Sequence, residues 1–218
     1  MSMTDPIANN HQRQLLRKTL RSSLRSKRLN LSPLQQQLNA TKLAHRLINL
    51  KQLKNAKKIA VYLSMDGEIN LEYLIKLLWK ANKLCYLPVL DKKLAGHLIF
   101  LPYTKNQKLV KNRFKILEPV YNYRNSIAAK QLDIILMPLV GFDKQVNRLG
   151  MGGGFYDRSL AFFHNALPAK NSLNEVSNRS IFKPMLIGVA HSIQEVNQIP
   201  IEPWDIRVEK IFTEKGCC

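Results

Sequence analysis

Residues 147–158 read Asn147-Arg-Leu-Gly-Met-Gly-Gly-Gly-Phe-Tyr-Asp-Arg158, and four of these twelve positions are glycine in a chain with nine in all. Three consecutive glycines, Gly152 to Gly154, cost more conformational entropy on ordering than a simple turn requires. The segment follows an apolar run at residues 132–140 and leads into a helix-like run at residues 155–165. Strand, glycine loop and helix in that order make an anion cradle: backbone N–H groups and the positive end of the helix dipole can face one phosphate. Arg148 and Arg158 add fixed positive charge, and Phe155 and Tyr156 offer flat surfaces to a ring system. Asp157 falls in the first helical turn. A bare carboxylate there would repel a triphosphate, and Mg²⁺ resolves the conflict by bridging carboxylate and phosphate oxygens. The plainer role for Asp157 is a helix-start charge worth roughly 0.3–1 kcal/mol. The loop has no Gly-Lys-Ser/Thr ending and lacks the spacing of the dinucleotide fingerprint, so it is neither common phosphate motif. Its residue types point to a nucleotide-using enzyme.

A second basic element lies near the N-terminus. Leu16, Leu20 and Leu24 recur every four residues over a helical stretch, residues 14–29. Arg17, Arg21, Arg25 and Arg28 run beside them as a stripe. Composition alone favours a solvated face for such a stripe. Its chemical alternative is a phosphate clamp, since one helix face can aim several guanidiniums at one ligand.

The remaining pattern describes the scaffold. Ser32-Pro-Leu-Gln35 is a helix start, with Ser32 as cap and Pro33 at the first position, and the helix should reach about residue 50. Residues 57–64 and 84–90 read as strands separated by a helix at 71–81, a β-α-β unit with a right-handed crossover. Short strands are expected at 97–103 and 113–117, an irregular connection at 118–131, and further strands at 132–140, 184–190 and 207–213. The polar stretch 168–183 reads as an exposed loop, and residues 1–13 as a polar, frayed extension before a single domain at 14–216. This alternation predicts a three-layer α/β domain, Rossmann-like, with a mostly parallel sheet. Ligands in such folds sit at the carboxyl ends of the strands. Residues 64–68, 140–154 and 190–194 would lie there. His191 and Gln194 follow a strand and could touch ligand or serve structure. Trp204 could stack on a ring or pack the C-terminal segment.

Composition sets the outer bounds. The 218 residues, 45% hydrophobic, suffice for one domain with a real core. No apolar run is long enough to span a bilayer, and the N-terminus shows no signal peptide. Cys85, Cys217 and Cys218 have no metal-ligand spacing and read as free thiols of a reducing cytoplasm. The formal net charge of +19 attracts polyanions of any kind. A basic RNA-binding protein is therefore one alternative, although no nucleic-acid motif with interleaved aromatics is present. Another small-molecule ATP-dependent enzyme on the same scaffold is a second.

Several motifs occur together and in order: the 147–158 segment preceded by Met137-Pro-Leu-Val-Gly-Phe-Asp143, the N-terminal Leu/Arg helix ending in Leu31-Ser-Pro, Tyr62-Leu-Ser-Met-Asp-Gly-Glu68, and Ile199-Pro-Ile-Glu-Pro-Trp-Asp205. Over roughly residues 14–214 the chain resembles the 5-formyltetrahydrofolate cyclo-ligase (methenyltetrahydrofolate synthetase) family, in its proteobacterial type. The resemblance implies an ATP- and Mg²⁺-dependent ligase of cyclo-ligase fold. Its reaction converts 5-formyltetrahydrofolate to 5,10-methenyltetrahydrofolate through a phosphorylated formyl intermediate. It implies ATP contacts at Arg148, Leu149, Gly150, Met151, Gly152, Gly153, Gly154, Phe155 and Tyr156, and a basic phosphate pair at Arg17 and Arg21. Lys18 beside Arg17 is an alternative, because many members carry lysine where Arg17 stands. Arg148 and Asp157 would serve catalysis, and Asp157 with Asp205 would hold Mg²⁺. Leu63, Met65 and Glu68, with residues 151–155, would meet the folate. Reduced folate and ATP would be its partners, with no membrane or specific nucleic acid, and the chain would act as a cytoplasmic monomer.

Overall fold

The computed structural model describes residues 6–166 and 184–218. The expected loop at 168–183 lies outside the described residues. Among the described residues there are five helices: α1 (Pro6–Leu29), α2 (Pro33–Ile48), α3 (Lys51–Asn55), α4 (Glu72–Lys80) and α5 (Phe155–Ser159). The strands are β1 (Lys58–Ala60), β2 (Leu84–Leu90), β3 (Leu98–Tyr103), β4 (Leu109–Lys111), β5 (Leu117–Pro119), β6 (Ile134–Pro138), β7 (Gly141–Phe142), β8 (Arg148–Leu149), β9 (Met185–Val189) and β10 (Lys210–Phe212). Six of them form one sheet in the order β10-β9-β6-β1-β2-β3. All its pairings are parallel except the edge pair β2–β3.

Burial on both faces explains the apolar runs. On one face Ile59, Ile134, Leu136, Ile187 and Val189 pack under α2 and α4, which contribute Leu43, Leu47, Leu74 and Leu78. On the other face Ala60, Ile135, Met137 and Leu186 meet Phe142, Leu160, Ile206 and Val208. The covering elements on this second face are short. The α2 start is built as its residues imply: Ser32 accepts from Gln35 N–H at 3.2 Å and Pro33 opens the helix. Among the described residues no helix is long and apolar enough to cross a membrane.

Several local expectations need correction. The first helix begins at Pro6, not at residue 14. Of residues 113–117 only Leu117 is in a strand, as the first residue of β5; the rest lie in the turn of the hairpin made by β4 and β5. The strand expected over 57–64 stops at Ala60, because the chain then bends into the turn 65–68. The helix expected over 155–165 ends at Ser159 and continues as 3₁₀ turns. A two-stranded hairpin, β7 with β8, intervenes between β6 and the glycine loop. Its turn is organised by Asp143, which is fully buried. One oxygen accepts from the N–H groups of Gln145 and Asn147, each at 3.0 Å. The other takes Asn147 Nδ2 at 3.0 Å and Ile199 N–H at 2.9 Å. Four donors satisfy a carboxylate that could not otherwise be buried. A Cβ at Gly141 would collide with Leu24, so glycine there lets α1 lie on the hairpin.

Candidate active site

Four segments converge beyond the carboxyl ends of the parallel strands. They are α1, the loop after β1, the 148–157 segment, and the 202–205 loop. With the β4–β5 hairpin and part of β2 and β3 they enclose a cavity of about 410 Å³. That size is in the range of small-molecule sites. Arg17, Arg21, Leu63, Met65, Glu68, Arg148, Gly150 to Asp157, and Asp205 all line it. Lys18 is exposed and outside the lining, so of the two neighbouring cations only Arg17 faces the cleft. Leu149 is fully buried in β8 and does not line the cleft either.

The polar end is a set of cations and carboxylates closed on one another. Arg17 clamps Asp205 with two bonds, of 2.7 and 3.1 Å. Arg148 bonds Asp157 through Nη2 and donates from Nε to the Ile206 carbonyl at 3.1 Å. The same Asp157 oxygen accepts from Ile206 N–H at 3.1 Å. Arg21 donates to the Gly150 carbonyl at 2.8 Å. Burial, then repulsion from Arg17, lowers the pKa of its guanidinium. The arginine stripe of α1 therefore turns inward at Arg17, Arg21 and Arg28, contrary to a solvated face, and is exposed at Arg25. Arg25 and Arg28 continue it onto Asp66, and Leu16 is left half exposed.

The glycine loop runs along the cleft and ends at α5. The helix that follows it has only five residues and so little dipole, while three arginines line the cleft beside it. Gly154 caps α5 at φ +66°, a conformation that other residues resist. Arg158 points away from the cleft. It bonds the carbonyls of Gly96 at 2.9 Å and Gly153 at 2.7 Å, bracing the loop from outside.

At the other end Glu68 sits on a tight turn. Asp66 and Gly67 both have positive φ, at 53° and 72°, and Glu68 N–H bonds the Met65 carbonyl at 2.9 Å. This is the pattern of a type I′ turn, which favours Asp-Gly. A Cβ on Gly67 would meet the Arg28 backbone at 3.2 Å, so the turn is seated on α1. Glu68 Oε2 accepts from Met65 N–H at 3.2 Å. Burial pushes the Glu68 carboxyl up to about 7, and nearby Arg28 only partly offsets this. Burial also raises the Tyr156 hydroxyl pKa.

Two residues with open roles prove structural. His191 is fully buried and bonds Asn39 at 3.0 Å, and burial lowers its pKa to about 4. Gln194 donates to the carbonyls of Leu139 and Val140 at 2.8 and 3.0 Å. Trp204, in contrast, lines the cleft and is 56% exposed. The hairpin residues Asn112, Phe114, Ile116, Leu117 and Glu118 form a wall that sequence reasoning missed. Phe114 meets Phe155 edge-on at 5.8 Å.

The donors suit Mg²⁺ better than a metal held by protein alone. Among the described residues no group of three or more His, Cys, Asp or Glu side chains could hold an ion. Mg²⁺ characteristically takes one or two carboxylates and completes its shell with water and phosphate oxygens. Asp157 and Asp205 provide that number on one wall. Beside them Glu202 accepts from Arg13 at 3.2 Å through Oε2, while its Oε1 is buried without a hydrogen-bond partner among the described residues.

Residues 12–214 match the family model described as the 5-formyltetrahydrofolate cyclo-ligase family. The chain is 40% identical over 190 residues to the 5-formyltetrahydrofolate cyclo-ligase of Escherichia coli (strain K12), covering 87% of this chain and 96% of that one. It is 28% identical over 200 residues to the enzyme of that name from Mus musculus, covering 89% and 92%. In structure it is similar to the 5,10-methenyltetrahydrofolate synthetase of Aquifex aeolicus, with a TM-score of 0.73 at 30% identity over 93% of this chain and 91% of that one. A matched length that takes in most of α1, the glycine loop and the 202–205 loop together places the chain in the 5-formyltetrahydrofolate cyclo-ligase family.

Proposed function

We propose that this chain is an ATP-dependent cyclo-ligase that converts 5-formyltetrahydrofolate to 5,10-methenyltetrahydrofolate, releasing ADP and phosphate, as a cytoplasmic monomer. One observation carries the reading: three arginines from two separate segments meet two carboxylates in one cleft that continues into an apolar chamber. In the first step the formyl oxygen attacks the γ-phosphorus of ATP; an O–P bond forms and the bond to the ADP oxygen breaks. N10 then attacks the formyl carbon, the C–O bond breaks, phosphate leaves, and N10 loses its proton.

Phosphoryl transfer demands positioning and charge neutralisation rather than covalent help from the protein. Arg17, Arg21 and Arg148 are the cations for that task. Arg17 and Arg148 would exchange their carboxylate partners for phosphate oxygens, which frees Asp205 and Asp157. Those two carboxylates would then hold Mg²⁺, which when bound neutralises charge on the phosphate oxygens. The glycines bring the backbone of 150–154 close to both ligands. Leu63, Met65, Met151 and Phe155 would pack the folate ring, with Glu68 accepting from the donor-rich amide edge of the pterin. A coupled assay for ADP tests the reading: release should require both ATP and 5-formyltetrahydrofolate. ADP release that ignores the folate would refute it.

A further inference from the structure

A second carboxylate lines the cavity from the β4–β5 hairpin. Glu118 lies on β5, lines the cavity and is 9% exposed. Its setting is fixed by Asn112 at the other arm of the hairpin. The Asn112 side-chain oxygen accepts from the N–H groups of Phe114 at 2.9 Å and Ile116 at 3.2 Å. That leaves its amide nitrogen as the donor to Glu118 Oε2, at 2.8 Å. The donor orientation of Asn112 thus makes Glu118 an acceptor. Among the described residues the Glu118 side chain has no other polar partner and no cation. Its Oε1 makes no hydrogen bond to any of them and is not among the atoms closed off from solvent, on a residue that lines the cavity. That oxygen is open to a donor brought in by a ligand.

We infer that Glu118 is a substrate-binding residue whose free oxygen accepts a hydrogen bond from an N–H of the reduced pterin, on an edge that Glu68 does not serve. The inference rests on the proposed cyclo-ligase reading. Glu68 and Glu118 reach the chamber from different elements, the loop after β1 and the β4–β5 hairpin. Together they select a ring that carries donors on more than one side, as a reduced pterin does. The hairpin is then a specificity wall, with Asn112 positioning Glu118.

The test is the pair Glu118→Gln and Glu118→Asp, assayed with ATP and 5-formyltetrahydrofolate and melted without ligand. Glu118→Gln should raise KM for 5-formyltetrahydrofolate on the order of tenfold or more, the weight of a hydrogen bond to a charged group. KM for ATP and the melting temperature should stay near those of the wild type. Glu118→Asp keeps the charge and should lose less, and it serves if the glutamine variant fails to fold. An unchanged folate KM in a folded variant, or equal rises in both KM values, would overturn the inference while leaving the cyclo-ligase reading intact. If the wild type forms no product, titration of wild type and variants with 5-formyltetrahydrofolate decides. Equal binding, or none, overturns the role of Glu118, and the missing product separately overturns the reading.

Discussion

Arg148 and Asp157 stand nine positions apart in the chain and close on each other through Arg148 Nη2 and Asp157 Oδ1. One is the cation proposed for phosphate and the other the carboxylate proposed for Mg²⁺. Arg17 and Asp205 repeat the arrangement from distant segments. These two pairs thus neutralise one another's charges, and in the proposed reaction phosphate and Mg²⁺ would each replace a protein partner. Arg148→Ala should raise KM for ATP roughly 10- to 100-fold, as expected for losing hydrogen bonds to a charged group. Asp157→Asn should increase the Mg²⁺ concentration needed for half-maximal turnover and lower kcat. Steady-state titrations of ATP and Mg²⁺ read both effects; unchanged Mg²⁺ dependence would remove Asp157 from the metal site.

The proposed contact of Glu68 with the pterin predicts a pH dependence on the folate side. Its carboxyl is raised by burial to about 7 in the folded chain, above its ordinary value. The folded state therefore holds the proton more tightly, and stability is lost as pH rises from the unfolded pKa through about 7. The charge proposed to accept from the pterin would appear over the upper part of the same range. KM for 5-formyltetrahydrofolate should fall as pH rises through about 7, while thermal stability declines. Glu68→Gln should flatten both profiles. A folate KM that does not vary with pH in the wild type would contradict this role.

Arg28 is the fully buried end of the arginine stripe. It donates to the Asp66 carbonyl at 2.7 Å, to Asp66 Oδ2 at 2.8 Å and to the Leu139 carbonyl at 3.3 Å. Removing one member of such a set leaves the others buried without partners. Arg28→Met should destabilise the chain by on the order of 3–5 kcal/mol. Calorimetry should show a drop in Tm of roughly 10 °C. A loss under about 1 kcal/mol would mean that water replaces the guanidinium.

Gly188 tests the core apart from the site. A Cβ there would meet Ile211 and Leu139 side-chain carbons at 2.9 Å, between β9 and β10. Gly188→Ala should cost about 1–3 kcal/mol by overpacking. Both KM values should remain those of the wild type, and a large change in either would show that this strand pair reaches the cleft.

The long apolar runs and the ordered motifs made the parallel sheet and most cleft residues legible before any coordinates. Ile134 to Met137 and Leu186 to Val189 are buried on both faces and declare themselves by continuous hydrophobicity. The hairpins did not. Strands of two or three residues carry no periodicity, and β4–β5 exists because it rests on β2 and β3. Glu118 was hidden with it. Asp143, followed four positions later by Asn147, was the available signal for the β7–β8 turn, since Asp at such a bend bonds its own backbone. The inward face of the arginine stripe was hidden because its partners, Asp66 and Asp205, are far away in sequence.

The most direct measurement mixes the purified chain with ATP, Mg²⁺ and 5-formyltetrahydrofolate and follows methenyl absorbance and ADP together. The account predicts methenyl product that needs ATP and appears in a one-to-one ratio with ADP. Absence of methenyl product, or product formed without ATP consumption, would contradict it.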